Sequence, residues 1–206
     1  MENDTRSKLI EIATQLFATK GYAAVSVREV TLAAQTNVSA ISYYFNGKEG
    51  LYQAVLTEQL SPIIEALQSA QSNDSFSPIE RLTCYADQIV QIHAQKPFLV
   101  RFMVGEAVTP TECSGPAIED YLAQLHQFLG TALQEGIIKG DFRADLNITY
   151  AVISLAGILN FYFITKPLVR KVIPLFEHAN SGAEYIAHAF RVYLHGIIDP
   201  ASNCLP

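Results

Sequence analysis

The chain has 206 residues, of which half are hydrophobic and 17% are charged, and this composition excludes an intrinsically disordered protein. Its net charge of −6 gives no general indication of nucleic-acid binding, but the charge is uneven: residues 1–60 carry 5 basic and 6 acidic side chains, whereas residues 61–206 carry 9 and 14. Any nucleic-acid-binding surface would therefore be a local basic patch on the nearly neutral N-terminal part.

The first predicted helix lies within residues 5–22, "TRSKLIEIATQLFATKGY", where apolar side chains recur at helical spacing. Gly21 stands where a left-handed C-cap would end it. The second helix is predicted to begin at Val27, because Ser26 and Glu29 form a capping box and the valines on either side occupy the staple positions. Both signals are local, so they fix where these helices start and stop.

A third helix of only two turns is predicted from Val38 to Phe45, with Asn37 as its N-cap. A helix this short is unstable alone, so it must pack on its neighbours, and Ile41 and Phe45 are spaced to do so. The side chains left outside the core would be those of Val38, Ser39, Ser42 and Tyr43. Three helices with a tight turn before the last form a helix-turn-helix, whose third helix can enter a DNA major groove.

The residues that close the third helix are suited to bind phosphate. Tyr43 and Tyr44 can pack their rings and offer their hydroxyls to a phosphate. Asn46-Gly47 then breaks the chain, and Lys48 brings a positive charge to the start of the next helix, where free backbone N–H groups favour an anion. Half-buried packing is the alternative explanation for either tyrosine alone, but the combination favours DNA contact.

Longer helices are predicted over the remaining chain, where no strand pattern or repeat stands out. Three of them begin at a proline: Pro78 after the capping Ser77, Pro97 and Pro116. An apolar helix follows at about 145–165, and a last helix at about 182–198. The longest apolar run, residues 151–159, is shorter than the about 20 residues of a membrane-spanning helix, so a buried core helix is predicted. The sequence therefore predicts an all-α protein.

The sequence contains no recognisable catalytic, cofactor-binding or metal-binding motif. No Gly-rich phosphate loop, no G-x-S-x-G and no H-E-x-x-H occurs. Cys84, Cys113 and Cys204 are widely spaced and form no C-x-x-C, so we expect neither disulfides nor a zinc cluster. We therefore predict no metal, no cofactor and no enzymatic activity, and the polar N-terminus without a signal-peptide pattern predicts a cytoplasmic protein.

The N-terminal 55 residues resemble the DNA-binding module of TetR-type transcriptional regulators. The resemblance rests on "LIEIATQLFATKGYAAVSVREVTLAA" and "SAISYYFNGKEGLYQAV". These segments contain, in order, a first helix that ends in the L-F/G-Y pattern, a capped second helix, and a Tyr-Phe-x-x-Lys-Glu pattern at the end of the third helix. The variant "NVSAISYYF" and, more loosely, "PFLVRFMVGEAVTPTE" at 97–112 resemble the CecR-like branch of these regulators.

This resemblance implies an all-α homodimer with a helix-turn-helix DNA-binding domain in residues 1–47 and a larger helical effector-binding and dimerisation domain in residues 48–206. Each N-terminal domain would bind half of a palindromic DNA operator, and a small-molecule effector would move the two DNA-binding domains apart. The residues implied to contact phosphates are Ser26, Arg28, Tyr43, Tyr44 and Lys48. Those implied to lie at base edges are Val38, Ser39 and Ser42, with Asn37 beside them at the start of the third helix.

Two positions depart from the family pattern. Gln35 stands where a turn glycine is usual, which puts the geometry of the turn in question, and Asn37 stands where serine is common. The third helix also has no Lys or Arg, so contacts to A·T pairs or readout of DNA shape would dominate over bidentate contacts to guanine.

Nine residues of the C-terminal part are candidates for an effector pocket, because they are aromatic or ionisable side chains within apolar helices. They are Tyr85, His93, Phe98, Arg101, Phe102, Glu106, Tyr121, His126 and Phe161. Most aromatic residues at helical spacing belong to an ordinary core, and an internal salt bridge explains Arg101 and Glu106 more often than a ligand does. His93 and His126 could pair on a metal, but satisfied polar side chains are the more frequent explanation.

The favoured hypothesis is a ligand-responsive, homodimeric repressor whose partners are duplex DNA and a small molecule, with no membrane. The two strongly apolar helices at about 145–165 and 182–198 fit either a monomer core or a four-helix dimer interface. The resemblance favours the interface, where Gly157 would permit close helix approach. Two alternatives stay open: a helical small-molecule-binding protein that has lost DNA binding, and an all-α enzyme, which would need a convergent acid, base or nucleophile.

Overall fold

The computed structural model describes residues 2–73, 75–173 and 180–200, with side chains from residue 4 onward. Within these ranges the chain forms nine α-helices: α1 Glu2–Lys20, α2 Val27–Ala34, α3 Ser39–Phe45, α4 Lys48–Gln71, α5 Pro78–Gln95, α6 Leu99–Val108, α7 Gly115–Lys139, α8 Ile148–Val169 and α9 Ser181–Ile197. The described residues include no strand, only an isolated antiparallel bridge between Phe142 and Ile198. The predicted all-α class is confirmed, while Cys204, predicted to form no disulfide, lies outside the described residues.

The end of α1 and the starts of α2 and α5 follow the capping residues that the sequence predicted, whereas α6 begins at Leu99 and α7 at Gly115 instead of at the predicted Pro97 and Pro116. Gly21 takes the left-handed conformation, with φ of 82°, just after the end of α1. At the start of α2, the Ser26 hydroxyl accepts a hydrogen bond from the Glu29 N–H at 3.1 Å. At the start of α5, the Ser77 N–H donates to Glu80 Oε2 at 2.7 Å, and the Glu80 N–H donates to Ser77 Oγ at 3.2 Å. These bonds satisfy backbone N–H groups for which the first helical turn provides no partner.

The chain divides into two compact packing units. The first unit contains the residues up to Pro62 together with Lys96–Tyr121, and the second contains Ile63–Gln95 together with the residues from Leu122 onward. The boundary therefore falls within α4 and within α7. The predicted division at residue 47 concerns function and does not coincide with this packing boundary, so it stays a prediction.

A proline marks the packing boundary in α4. Pro62 lies inside the helix and has no N–H, so the carbonyl of Glu58 loses its usual helical partner. The Ser61 hydroxyl lies 3.5 Å from that carbonyl oxygen and donates to it. The interruption of the helical hydrogen bonds thus coincides with the change of packing partners along α4.

The core of the first unit is formed by α1 to α4 and completed by α6. Side chains that this core buries almost completely include Leu9, Ala13, Val30, Ala34, Ile41, Leu51, Val55 and Phe102. Because α3 is too short to be stable alone, its position depends on this shared core.

Tyrosine hydroxyls join α8 to α9 in the second unit. The Tyr193 hydroxyl donates to the Ala151 carbonyl at 3.0 Å, and the Tyr185 hydroxyl donates to the Ile158 carbonyl at 2.9 Å. A buried hydroxyl without a partner would destabilise the fold. These bonds therefore allow the two apolar helices to pack with tyrosine hydroxyls between them.

One face of α8 is exposed and apolar. Its large exposed side chains recur at helical spacing and are Tyr150, Ile153, Phe161, Ile164 and Leu168. By length and composition alone, α8 is long and apolar enough to cross a membrane, and 28% of its most apolar window is buried. The prediction of a buried core helix is therefore correct for one face of α8 and wrong for the other, since an apolar run does not reveal which faces have partners.

Candidate nucleic-acid interface

The turn between α2 and α3 holds Gln35 in a conformation that glycine usually provides. Gln35 has φ of 55° and ψ of 44°, the left-handed region, and its N–H donates to the Leu32 carbonyl at 3.1 Å. The next N–H, of Thr36, donates to the Thr31 carbonyl at 2.9 Å. These bonds close the end of α2, so the turn forms without a glycine, at the cost of a backbone conformation that other residues adopt rarely.

The helix α3 begins one residue later than the sequence predicted. It starts at Ser39, with Val38 in the cap position. Asn37 Oδ1 accepts hydrogen bonds from the Ser39 N–H and from the Ser39 hydroxyl, each at 3.0 Å. The predicted N-cap at Asn37 is therefore wrong by one position, because this side chain bonds the backbone two residues on, in an Asx turn that precedes the helix.

The side chains of α3 divide between core and solvent as predicted. Ile41 and Phe45 are buried, whereas Tyr43 is 72% exposed. The exposed set at the front of the helix is Val38, Ser39, Ser42 and Tyr43. This surface offers small hydroxyls, a methyl-bearing side chain and a phenol, groups that can hydrogen bond at base edges or pack on a thymine methyl group.

The two tyrosines at the end of α3 differ in burial. Their rings meet edge to face, with centroids 4.8 Å apart and an interplanar angle of 78°. Tyr44 is half-buried and its ring centroid lies 6.1 Å from that of the buried Phe45. Tyr44 therefore supports the ring of Tyr43, which carries the larger exposed surface.

The Lys48 side chain already has contacts within the protein. Its Nζ lies 4.3 Å from the centroid of the Tyr22 ring and donates to the Ala23 carbonyl at 3.4 Å. Both partners belong to the connection between α1 and α2. A phosphate at Lys48 would therefore share or replace these two contacts.

Two arginines and a serine complete the charged and polar surface near α3. Arg28 and Ser26 are exposed at the start of α2. A cation at a helix N-terminus is unfavourable for the helix dipole, and a bound anion would relieve this. The Arg6 guanidinium lies 5.5 Å from the centroid of the Phe45 ring, which ends α3. All nine residues predicted to contact DNA thus lie in the first packing unit.

The nine candidate effector residues are divided between the two packing units. Those in the first unit are Phe98, Arg101, Phe102, Glu106 and Tyr121, and those in the second are Tyr85, His93, His126 and Phe161. Arg101, Phe102 and Glu106 line one cavity. In the second unit, Tyr85 is buried beside a narrow apolar gap, whereas His126 and Phe161 are exposed.

His93 is a satisfied polar side chain. Its Nε2 lies 2.9 Å from Asn160 Oδ1, and its ring stacks on the Phe163 ring with centroids 3.9 Å apart. Burial lowers the pKa of His93 below its ordinary value, and the hydrogen bond to Asn160 opposes this only in part. No cluster of three His, Cys, Asp or Glu side chains suited to a metal ion occurs in the part of the chain that the structure describes.

Arg101 has no acidic partner within the described residues. The internal salt bridge that was predicted to explain this side chain is therefore wrong. Its Nη1 instead donates to the Ala18 carbonyl at 3.3 Å, near the C-terminus of α1. Helix C-termini carry partial negative charge, so a guanidinium is favourable at this position. The greater part of the Arg101 hydrogen-bonding capacity is nevertheless not used by that single bond.

Glu106 is buried and is bonded by neutral donors instead of a cation. Its carboxylate accepts hydrogen bonds from the Tyr52 hydroxyl at 2.5 Å and from the Thr111 N–H at 2.8 Å. Burial raises the pKa of Glu106, but hydrogen bonds from Ser114, Tyr52 and Thr111 outweigh it and hold the pKa below its ordinary value. Tyr52 and Thr111 could not be predicted as partners of Glu106, because no spacing pattern links Tyr52 to a carboxylate 54 residues away.

Comparison with known proteins places this geometry in a family. A model of bacterial regulatory proteins of the tetR family matches residues 9–55, which include α2, α3 and most of α1. Over 179 residues the chain is 27% identical to the probable HTH-type transcriptional regulator YttP of Bacillus subtilis (strain 168), with 86% of each chain covered. Residues 9–55 therefore match the DNA-binding domain of the tetR family, and the relative that covers most of the chain is named as a transcriptional regulator.

Two further comparisons cover nearly the whole chain. The chain is 25% identical over 191 residues to the HTH-type transcriptional repressor DhaR of Mycobacterium sp. (strain GP1), covering 89% of this chain and 96% of that one. Its fold matches the solved structure of the ketosteroid transcriptional regulator KstR2 of Mycobacterium tuberculosis with a TM-score of 0.72 at 20% identity, covering 94% and 95% of the two chains. These relatives are regulators and not enzymes, and the CecR-like branch stays a prediction.

Proposed function

We propose that this TetR-type regulator is a homodimeric repressor that binds a palindromic operator through α3 and is released by a small molecule. The observation that carries the proposal is the division of α3 into a buried face, with Ile41 and Phe45, and an exposed face of small and phenolic side chains. A two-turn helix that packs only through its rear face can enter a major groove and keep its own core contacts. The name of one relative, DhaR, is that of a repressor, which supports the direction of the regulation.

In the proposed complex, two copies of α3 lie in successive major grooves about 34 Å apart. The side chains proposed to bind phosphates are Ser26, Arg28, Tyr43, Tyr44 and Lys48. Those proposed at base edges are Val38, Ser39 and Ser42, beside Asn37. The helix α3 carries no cation within its sequence SAISYYF, so readout of A·T pairs and of DNA shape replaces bidentate contacts to guanine.

The experiment that tests the proposal is a selection of binding sites from random duplex DNA at moderate salt. We expect a palindrome to be recovered, and the affinity of the selected sites should fall steeply as salt rises, because phosphate contacts release counterions. Recovery of no motif, together with no salt-sensitive binding, would instead support the helical small-molecule-binding protein that has lost DNA binding.

Two variants then test the orientation of α3. Tyr43→Phe should weaken binding to all sequences about 2- to 10-fold, the effect of one hydrogen bond, whereas Ser39→Ala should change which sequence is preferred. Ile138→Ala is the control, because Ile138 is exposed on α7 in the second unit and belongs neither to α3 nor to the exposed face of α8. Unchanged affinity and sequence preference in both α3 variants would show that α3 is oriented differently on DNA.

The proposed dimer forms through the exposed apolar face of α8. An apolar stripe of this length on a soluble protein is typical of an interface. A Cβ atom added at Gly157 meets no heavy atom within 4 Å in the single chain, so a second copy can approach closely there. Ile153→Lys should convert the dimer to a monomer in sedimentation velocity, whereas the control Ile138→Lys, at a site on α7 that is 75% exposed, should leave the dimer intact.

The proposed effector acts on α4, whose first residue is Lys48. A shift of this helix on effector binding would change the separation of the two α3 helices and lower operator affinity, with a coupling of about 1–3 kcal/mol. Among the nine candidate effector residues, the three that share a cavity, Arg101, Phe102 and Glu106, are the proposed contacts for that molecule. A cytoplasmic location fits a protein whose partner is DNA.

A further inference from the structure

A cavity of about 550 Å³ lies within the first packing unit. One wall is the end of α1 with the connection to α2, and the opposite wall is α6; we name it the α1–α6 cavity. Its lining includes Phe17, Tyr22, Tyr52, Arg101, Phe102 and Glu106. Small-molecule sites commonly have about 300–1,000 Å³, so the α1–α6 cavity has the volume of a ligand site.

The rings of the α1–α6 cavity form a contiguous aromatic wall. Tyr52 is at its centre: its ring centroid lies 4.7 Å from that of Tyr22, 5.0 Å from that of Phe17 and 6.1 Å from that of Phe102. Aromatic pairs prefer edge-to-face and offset contacts, so an aromatic ligand would extend the set of ring contacts already present. A flat aromatic molecule therefore fits the wall better than a flexible aliphatic chain does.

The charges at the α1–α6 cavity favour an anion. Lys20 is paired with Glu29. The Glu106 carboxylate is occupied by hydroxyl and N–H donors, so it does not neutralise a neighbouring cation. Arg101 makes one bond to the Ala18 carbonyl and has no carboxylate partner among the described residues. A guanidinium with free N–H groups beside an apolar wall binds a carboxylate in the bidentate geometry it prefers.

From these contacts we propose that the α1–α6 cavity binds an aromatic carboxylic acid, with its carboxylate on Arg101 and its rings against the aromatic wall. The site lies in the packing unit that holds α3, apart from the candidate residues of the second unit. The binding claim stands on the cavity alone. Its regulatory consequence, a lower affinity for DNA when the acid is bound, rests on the proposed function.

The test measures binding of 2-naphthoate and of its uncharged analogue 2-naphthamide to the full chain by isothermal titration calorimetry. We expect the acid to bind at least tenfold more tightly than the amide. In Arg101→Gln that preference should disappear, whereas it should persist in the control Arg170→Gln, an exposed arginine of the second unit. Equal affinities of acid and amide for the unmodified protein, or no heat from either up to millimolar concentration, would overturn the proposal.

A second pair of variants tests the location of the site. Gly105 lines the α1–α6 cavity within α6, and a Cβ atom added there meets no heavy atom within 4 Å. Gly105→Trp should fill the cavity and abolish acid binding, whereas Gly105→Ala should retain it. Circular dichroism and thermal melting establish whether each variant is folded before its binding is compared. Acid binding by a folded Gly105→Trp protein at unchanged affinity would place the acid elsewhere and overturn the proposal.

Operator binding is measured separately, so the two hypotheses can fail independently. A chain that binds 2-naphthoate but no DNA would keep the α1–α6 cavity as a site and reject the proposed repressor. A chain that binds its operator but not the acid would keep the repressor and reject the site.

Discussion

The two packing units of this regulator use polar groups in different ways. In the first unit, a buried carboxylate, Glu106, collects donors from Tyr52 in α4 and from Thr111 beyond the end of α6. In the second unit, α8 and α9 are joined by neutral bonds: the Tyr193 hydroxyl of α9 donates to the carbonyl of Ala151 in α8. The first arrangement concentrates several bonds on one charged group, whereas the second distributes single bonds along a helix pair.

This difference indicates where each unit can change conformation. A hydrogen bond to a charged group is stronger than a neutral one, and a buried charge that loses its donors is strongly unfavourable. Segments that share Glu106 must therefore move together or lose several bonds at once. Single neutral bonds along α8 and α9 can be lost one at a time with a small effect on each.

The largest expected effect comes from one substitution made in each unit. A Cβ atom at Gly50 would overlap the carbonyl oxygen of Phe45, which is backbone at the end of α3, whereas a Cβ atom at Gly136 would overlap the ring of Phe142, which is a side chain. We expect Gly50→Ala to destabilise the fold by about 3 kcal/mol or more and Gly136→Ala by about 1–3 kcal/mol. Urea denaturation measures both free energies of unfolding.

A matched control for this pair is Gly105→Ala, where the added atom meets nothing within 4 Å and the residue lies inside α6. We expect this variant to be unchanged or stabilised by about 0.4–1 kcal/mol. Equal destabilisation by Gly50→Ala and Gly105→Ala would contradict the steric explanation.

The polar contacts themselves predict a smaller difference. Glu106→Gln places an amide group among donors that need an acceptor, so we expect a loss of about 1–3 kcal/mol in the free energy of unfolding. Tyr193→Phe removes one neutral hydrogen bond and should lose about 1 kcal/mol. Chemical denaturation of both variants tests the contrast, and a larger loss in Tyr193→Phe than in Glu106→Gln would reverse our view of the two units.

The smallest expected effect is a pH dependence that belongs to the second unit. Because burial holds the pKa of His93 below its ordinary value, the unfolded chain takes up a proton below pH about 6.5 more readily than the folded chain does. The free energy of unfolding should therefore decrease as pH falls through about 6.5. His93→Gln should flatten this slope between pH 7.5 and 5.5, and the exposed His126→Gln should not; identical slopes in both variants would exclude His93 as the source.

Local features of the fold could be predicted from the sequence, because each depends on a few adjacent residues. Ser26 and Ser77 start helices, Gly21 follows the end of one, and the spacing of Ile41 and Phe45 identified the buried face of α3. Capping and helical periodicity act over one or two turns, so they are visible in a single sequence.

Contacts between distant segments could not be predicted in the same way. Periodicity showed that Glu106 lies on an apolar helix but not that Tyr52 would reach it, and the predicted salt bridge was wrong because neutral donors bind the carboxylate. The left-handed conformation of Gln35 could not be predicted either, since residues other than glycine adopt it rarely and only the surrounding fold stabilises it. The composition of α8 showed its apolar character but not that one face would stay exposed.

Lys48 connects the proposed binding of DNA to the proposed binding of an acid in the α1–α6 cavity. Its two contacts, with Tyr22 and Ala23, are made to residues that also line the α1–α6 cavity. A phosphate that attracts Lys48 and an acid that fills the cavity therefore act on the same short connection between α1 and α2. Thermodynamic linkage then requires reciprocity: the factor by which the acid changes operator affinity is the factor by which the operator changes affinity for the acid.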